Sequence, residues 1–144
     1  MKKLEKILVV LNDTEWHDSM YKTVMNLSGK YEADFGLLHV FPESEKDNQE
    51  ITDKITEFNS SISKSKFKIL EQELEFGDID KIVVDKDSSL KPDLILVDGG
   101  ENHTNVEKFI LKIIPEAKAN IWAVERTRST NIKKIICPVD FSDT

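Results

Sequence analysis

The chain has 144 residues, 39% hydrophobic and 33% charged, with a formal net charge of −7. That length gives one ordinary domain with room for a proper core, and the acidic balance disfavours nucleic acid and anionic membrane surfaces, which need a basic footprint. The single cysteine, Cys137, excludes an internal disulfide framework, and no apolar run reaches the length of a signal-peptide core or a membrane span, so a cytoplasmic protein is expected.

Ile7 to Leu11 is an unbroken apolar run, the pattern of a strand buried on both faces. Asn12-Asp13-Thr14 then offers N-cap residues. Trp16, Met20, Val24 and Leu27 share one helical face, and Gly29 is the expected C-terminal stop. Phe35 to Val40 reads as a second strand. After the polar loop Glu43 to Asn48, Ile51, Ile55, Phe58 and Ile62 mark a second amphipathic helix, followed by a Ser/Lys-rich connector from Ser60 to Lys66. Phe67 to Phe76 is a third strand, polar enough in Leu70 to Glu75 for a sheet edge, where charge discourages sheet-to-sheet pairing.

Gly77-Asp78 ends that strand and caps a helix carrying Ile79, Ile82, Val83 and Leu90, which Pro92 closes. Asp93 to Val97 is a fourth strand ending at Asp98-Gly99-Gly100. The loop Glu101 to Thr104 leads to a helix with Val106, Phe109, Ile110, Ile113 and Ile114, and Pro115 stands where it should end. Ile121 to Val124 is a fifth short strand. Strands and helices alternate with no hairpin signal, which implies right-handed crossovers and a three-layer α/β domain with an open, parallel, five-stranded, Rossmann-like sheet. Its ligand crevice should lie beyond the carboxyl ends of the strands, at the switch point, bordered by Asn12 and Asp13 with Asp98 to Gly100 beside them.

The opening strand has a near copy. Lys6 to Thr14 aligns without a gap on Lys134 to Ser142, so that Asn12 falls on Asp140. A strand start repeated at a domain-sized interval suggests one complete unit over 1–125, a polar linker over 126–133, and the first strand of a second, truncated repeat over 134–144. Lacking a domain of its own, Ile135 to Val139 should be disordered or dock on a neighbouring chain as an exchanged strand.

Lys6 to Thr14, Leu37-Leu38-His39-Val40, Gly77-Asp78 and Asp93 to Val97, in that order, resemble the universal stress protein family, and Lys134 to Ser142 resembles the family's opening strand more closely still. The resemblance covers about the whole chain. It implies strand order 3-2-1-4-5, the adenine nucleotide alpha hydrolase-like arrangement, and the N-terminal domain of a tandem protein. It also implies a cytoplasmic stress-response role and pairing through the fifth strand, in a homodimer or between tandem halves. In the family's nucleotide-binding branch an Asp ends the first strand, where this chain has Asn12. The valine that lines the adenine pocket is matched by Val40. That branch places glycines after the fourth strand so that backbone N–H groups approach phosphates. Here those positions are Asp98 and Glu101, Gly99-Gly100 is at most a displaced remnant, and no glycine follows Gly100. Two carboxylates would repel a polyphosphate. The expected site of Asn12, Asp13, Val40, Asp98, Gly99 and Gly100 is therefore degenerate, and the domain binds or regulates without catalysis and without a required cofactor. The alternatives are an ATP- or AMP-binding member with slow ATP hydrolysis, and a structural pairing module whose partner domain holds the site.

Asp13, Asp98 and His103 could converge on a divalent metal, but strand-end acidic residues commonly cap helices and start turns. His39 reads as a hydrogen-bonded core or rim histidine, and His17 as an exposed residue of a first helical turn. No serine has a nucleophile-elbow context, there is no Walker A sequence, and the residues a phosphate-accepting receiver domain needs are missing. Cys137 lies in an apolar run and reads as packing. Ile121, Trp122 and Val124 form either an association surface or, for Trp122, packing under the last helix.

Overall fold

The computed structural model describes residues 4–15, 17–62, 68–98 and 103–124, with side chains in the last stretch from residue 108 onward. Trp16, Phe67, Gly99, Gly100, the linker 126–133 and the second strand copy at 134–144 lie outside these residues.

The elements follow as β1 (Lys6–Leu11), α1 (Asp18–Tyr31), β2 (Asp34–Phe41), α2 (Gln49–Ile62), β3 (Lys68–Phe76), α3 (Ile79–Leu90), β4 (Leu94–Asp98), α4 (His103–Ile113) and β5 (Asn120–Val124), with a 3-10 turn at Glu43–Glu45 in the polar loop before α2. The sheet order is β3-β2-β1-β4-β5 and every pairing is parallel. This is the three-layer α/β architecture expected from the alternation of strands and helices.

Strand alternation sends successive side chains of β1 to opposite layers. Ile7, Val9 and Leu11 pack with Met20, Val24 and Leu27 of α1 and with Phe58 and Ile62 of α2. Leu8 and Val10 pack with Val83 of α3 and with Phe109, Ile110 and Ile113 of α4. The two layers differ in which helices cover them because each crossover returns on the side its handedness dictates.

The start of β1 is pinned from both neighbours. The Asp34 amide donates to the Glu5 carbonyl at 2.8 Å and the Asp93 amide to the Lys6 carbonyl at 2.8 Å. The Asp93 carboxylate accepts from the Glu5 and Lys6 amides at 2.8 and 3.1 Å. Both groups of amides are thereby satisfied where the chain enters the sheet.

At the outer side, β3 pairs only with β2 among the described residues. Its register skips Leu70, between Ile69 opposite Phe35 and Glu71 opposite Gly36, so Leu70 is bulged and 48% exposed. Lys86 of α3 reaches back to Glu71 at 3.1 Å and Glu73 at 2.6 Å. Burial works to lower the Lys86 pKa, but its hydrogen bonds to the two glutamates outweigh that and raise it. The charged edge therefore also fastens α3 to the sheet.

Three expectations change. Helix α1 runs through Gly29 and stops at Glu32, whose φ of 54° is left-handed and whose amide donates to the Ser28 carbonyl. The chain thus places its left-handed residue three positions later than the glycine, and does so again at Lys91 after α3. Asn12-Asp13-Thr14 does not cap α1, which begins at Asp18 with His17 in the cap position and no side-chain capping bond. Asp78 does cap α3, accepting from the Asp80 amide at 3.1 Å.

The third correction concerns β5. Ile121, Trp122 and Val124 are buried within the domain, at 0%, 9% and 6% exposure, so their side chains form no association surface. Nor does Trp122 pack under the last helix. It belongs to the layer of α1, while α4 packs with Ile121 and Ala123 on the opposite face.

Two predictions follow from this packing. Nothing lies within 4 Å of a Cβ built on Gly29, so Gly29→Ala should raise unfolding stability in urea by about 0.5–1 kcal/mol, whereas a left-handed stop at that position would make the same change destabilising. Trp122→Ala should cost about 3–5 kcal/mol by the same measurement and leave the association state of the folded fraction unchanged in light scattering.

Candidate functional site

The switch point lies where β1 gives way to α1 and β4 to α4, on opposite faces of the sheet. Such a divergence opens a crevice at the carboxyl edge. Asn12 follows β1 directly and is exposed. The Asp13 carboxylate turns back on its own loop, accepting from the Thr14 amide at 2.6 Å. Its other oxygen meets His17 Nε2 at 3.1 Å. The same nitrogen stands 3.8 Å from the Asp98 carboxylate at the end of β4. Asp98 is only 4% exposed, whereas the His17 and Asp13 side chains are 28% and 43% exposed.

The expected pair of acidic residues is therefore brought together, but through a histidine that the sequence reading assigned to solvent. His17 is half-buried and links the loop after β1 to the end of β4. The contact is made through an irregular loop before α1, so no helical spacing in the sequence announced it. A capping role would turn the Asp13 carboxylate toward the amides of a helix start, but that start lies five residues further on.

Val40 is 3% exposed and packs with Val10 and Val97 in the layer covered by α3 and α4. Its side chain thus faces the layer opposite to the Asp13–His17–Asp98 cluster. Gly99, Gly100 and Glu101 lie outside the described residues, as does the side chain of His103. Among the described residues no group of three His, Cys, Asp or Glu side chains is arranged to hold a metal ion. His17 engages Asp13 through its Nε2.

His39 departs from expectation in another way. It is 1% exposed, and among the described residues neither ring nitrogen has a hydrogen-bond partner. Its ring meets Phe58 edge-on with centroids 4.7 Å apart. Burial pushes its pKa from 6.5 down to about 4, so the ring is neutral near pH 7. It is a core residue as read, but not a hydrogen-bonded one.

A second concavity, of about 300 Å³, lies between β3 and α3 and is lined by Glu73, Glu75, Ile82, Asp85, Lys86 and Ser89. It lies on the β3 margin rather than at the β1–β4 switch point, and Lys86 within it is already paired with Glu71 and Glu73.

No protein-family model matches the sequence, and no curated protein matches it by sequence. Solved structures do match. Universal stress protein UspA from Lactobacillus plantarum superposes with a TM-score of 0.59, covering 86% of this chain and 99% of its own at 13% identity. A universal stress protein family protein from Arabidopsis thaliana, solved with AMP bound, gives 0.59 over 86% and 93% at 18% identity. A functionally unknown protein from Pseudomonas aeruginosa PAO1 gives 0.61 at 12% identity, over 86% of this chain but 48% of its own. The fold is the one that universal stress proteins have.

The cluster makes a measurable claim about coupling. A double-mutant cycle of Asp13→Ala and His17→Ala, read by chemical denaturation, should return about 0.5–1 kcal/mol of favourable coupling, modest because both groups are partly solvated. Additive losses would mean that the 3.1 Å contact contributes nothing.

Proposed function

We propose that this chain is a universal stress protein-type domain with a degenerate nucleotide site, acting as a non-catalytic binding or regulatory module. The observation that carries the proposal is the Asp13–His17–Asp98 cluster at the switch point. A buried carboxylate ends β4 where the nucleotide-binding branch of the family has its first phosphate-approaching glycine. A phosphate chain entering there meets Asp98 instead of open backbone amides, and an anion beside a buried carboxylate is repelled in a medium that screens poorly. Asn12 adds hydrogen-bonding capacity but no charge to complement a nucleoside. His17 Nε2 is engaged by Asp13, so that nitrogen is not free to take a proton from water.

The AMP bound to the Arabidopsis structure favours a second reading, in which this chain also takes a nucleotide. Calorimetric titration with ATP and Mg²⁺ separates the two. We expect no saturable heat at micromolar concentrations, and saturable micromolar binding would replace the first reading with the second.

The same proposal includes a tandem arrangement, with the domain over 1–125, the linker over 126–133 and a second unit opening at 134–144. It is supported by the copy of Lys6 to Thr14 at Lys134 to Ser142, and by a neighbour of the same fold about twice as long as the matched region. In the copy the strand-end position is Asp140 rather than Asn12. Nucleotide binding should therefore appear when the titration is repeated on a chain carrying a complete second unit, and its absence there would remove the tandem site from the proposal.

A further inference from the structure

Three titratable side chains are buried among the described residues, His39, Asp87 and Asp98, and the two aspartates hold polar contacts. His39 has none, and its position in the fold gives that fact a consequence. Its register neighbours are Leu11 on β1 and Leu74 on β3, and its ring rests against Phe58 of α2. Among the described residues no carboxylate or cation of β1, β3, α1 or α2 enters its protonation, and burial is the sole cause acting on it. A proton on this ring in the closed domain would therefore be a buried charge with neither counter-ion nor acceptor, the costliest form of burial.

The element that closes over it is α2. This helix buries Ile55, Phe58 and Ile62, and Phe58 and Ile62 lie in the layer that holds Phe35 and Leu37 of β2, with Ile69 of β3 packed against it. The β2 side of the sheet ends in the edge strand β3, so α2 covers the margin of the domain, whereas β1 is covered on both faces and paired on both sides. Lifting α2 removes the Phe58 ring from His39 and gives the imidazole water without breaking any strand pairing. Marginal elements open at lower free energy than central ones.

We infer that α2 is an acid-released cover, with His39 as its sensor: protonation of His39 favours a form in which α2 has left β2 and β3 while β1, β4 and β5 remain paired. The sign is fixed by which form binds the proton better. With α2 closed, the ring resists protonation until about pH 4; with α2 lifted, it titrates at its ordinary 6.5. The open form therefore holds more protons between these values, and the closed form loses stability as pH falls through that window. Between pH 7 and pH 5 the opening equilibrium should rise roughly 20-fold from this one group.

Hydrogen exchange on the full chain, corrected for intrinsic rates, tests this. Amides of residues 49–62 should lose protection roughly 20-fold between pH 7 and pH 5 relative to those of β4, and His39→Leu, which keeps an apolar side chain in the slot, should abolish the difference. The imidazole of the unmodified protein, followed by NMR, needs no variant and should stay neutral at pH 5 in the closed population. Three results would each overturn the inference: equal loss of protection in α2 and β4, a differential loss that survives His39→Leu, or a ring that titrates above pH 6 with α2 still protected.

Discussion

Everything in this domain depends on β1 being satisfied on four sides. Its side chains are buried in both layers, and its backbone is paired with β2 on one edge and β4 on the other. A strand in that position tolerates neither polar side chains nor an unmatched amide, because nothing but protein surrounds it. The Asp93 carboxylate, gripping the Glu5 and Lys6 amides, sets where β1 starts, and the register with Asp34 sets it from the other side. With the start fixed, the end is fixed too, and with it the place where Asn12 and Asp13 leave the sheet beside the end of β4.

That exit is where chain-specific chemistry enters. A loop of the sequence Asn12 to Glu15 could have offered a helix cap and an open crevice. Instead α1 begins late, at Asp18, and its first turn is anchored by a backbone bond from the Tyr21 amide to the His17 carbonyl. The delay places the His17 side chain between the Asp13 and Asp98 carboxylates at the switch point. The electrostatics of the switch point are thus set by a one-turn shift in where a helix starts.

Much of this was legible in the sequence for a simple reason. Strands buried on both faces produce short apolar runs, and amphipathic helices produce apolar residues at helical spacing, so Ile7 to Leu11, Leu94 to Val97 and the Ile55–Phe58–Ile62 stripe announce themselves. Asp78 after Gly77 was a readable cap because the helix stripe starts immediately behind it. What failed were readings that depend on a residue's preference rather than on pattern. Glycine favours the left-handed stop, yet the chain places Glu32 there at a small cost, and the extra turn carries Tyr31 against the core layer of α1. The His17 contact was invisible because it joins residues brought together by the sheet: Asp98 is far away in sequence, and no periodicity connects it to α1. His39 had the opposite fault, since its place in an apolar strand was clear but its lack of partners could only be seen once β1, β3 and α2 were in position.

The two margins of the sheet solve the same problem by different means. An exposed strand edge invites pairing with other chains. On β3 the deterrent is charge and irregularity: Glu71, Glu73 and Glu75 alternate along the strand, Leu70 is bulged out of register, and Lys86 ties two of the glutamates down. β5 has no such device. Its side chains from Ile121 to Val124 are apolar and turned inward to both layers, so among the described residues that edge presents mainly main chain. A partner arriving at that edge would find hydrogen-bonding groups but little apolar surface, and would have to supply specificity from beyond the strand. By contrast, a partner at β3 would have to displace charges already compensated within the domain.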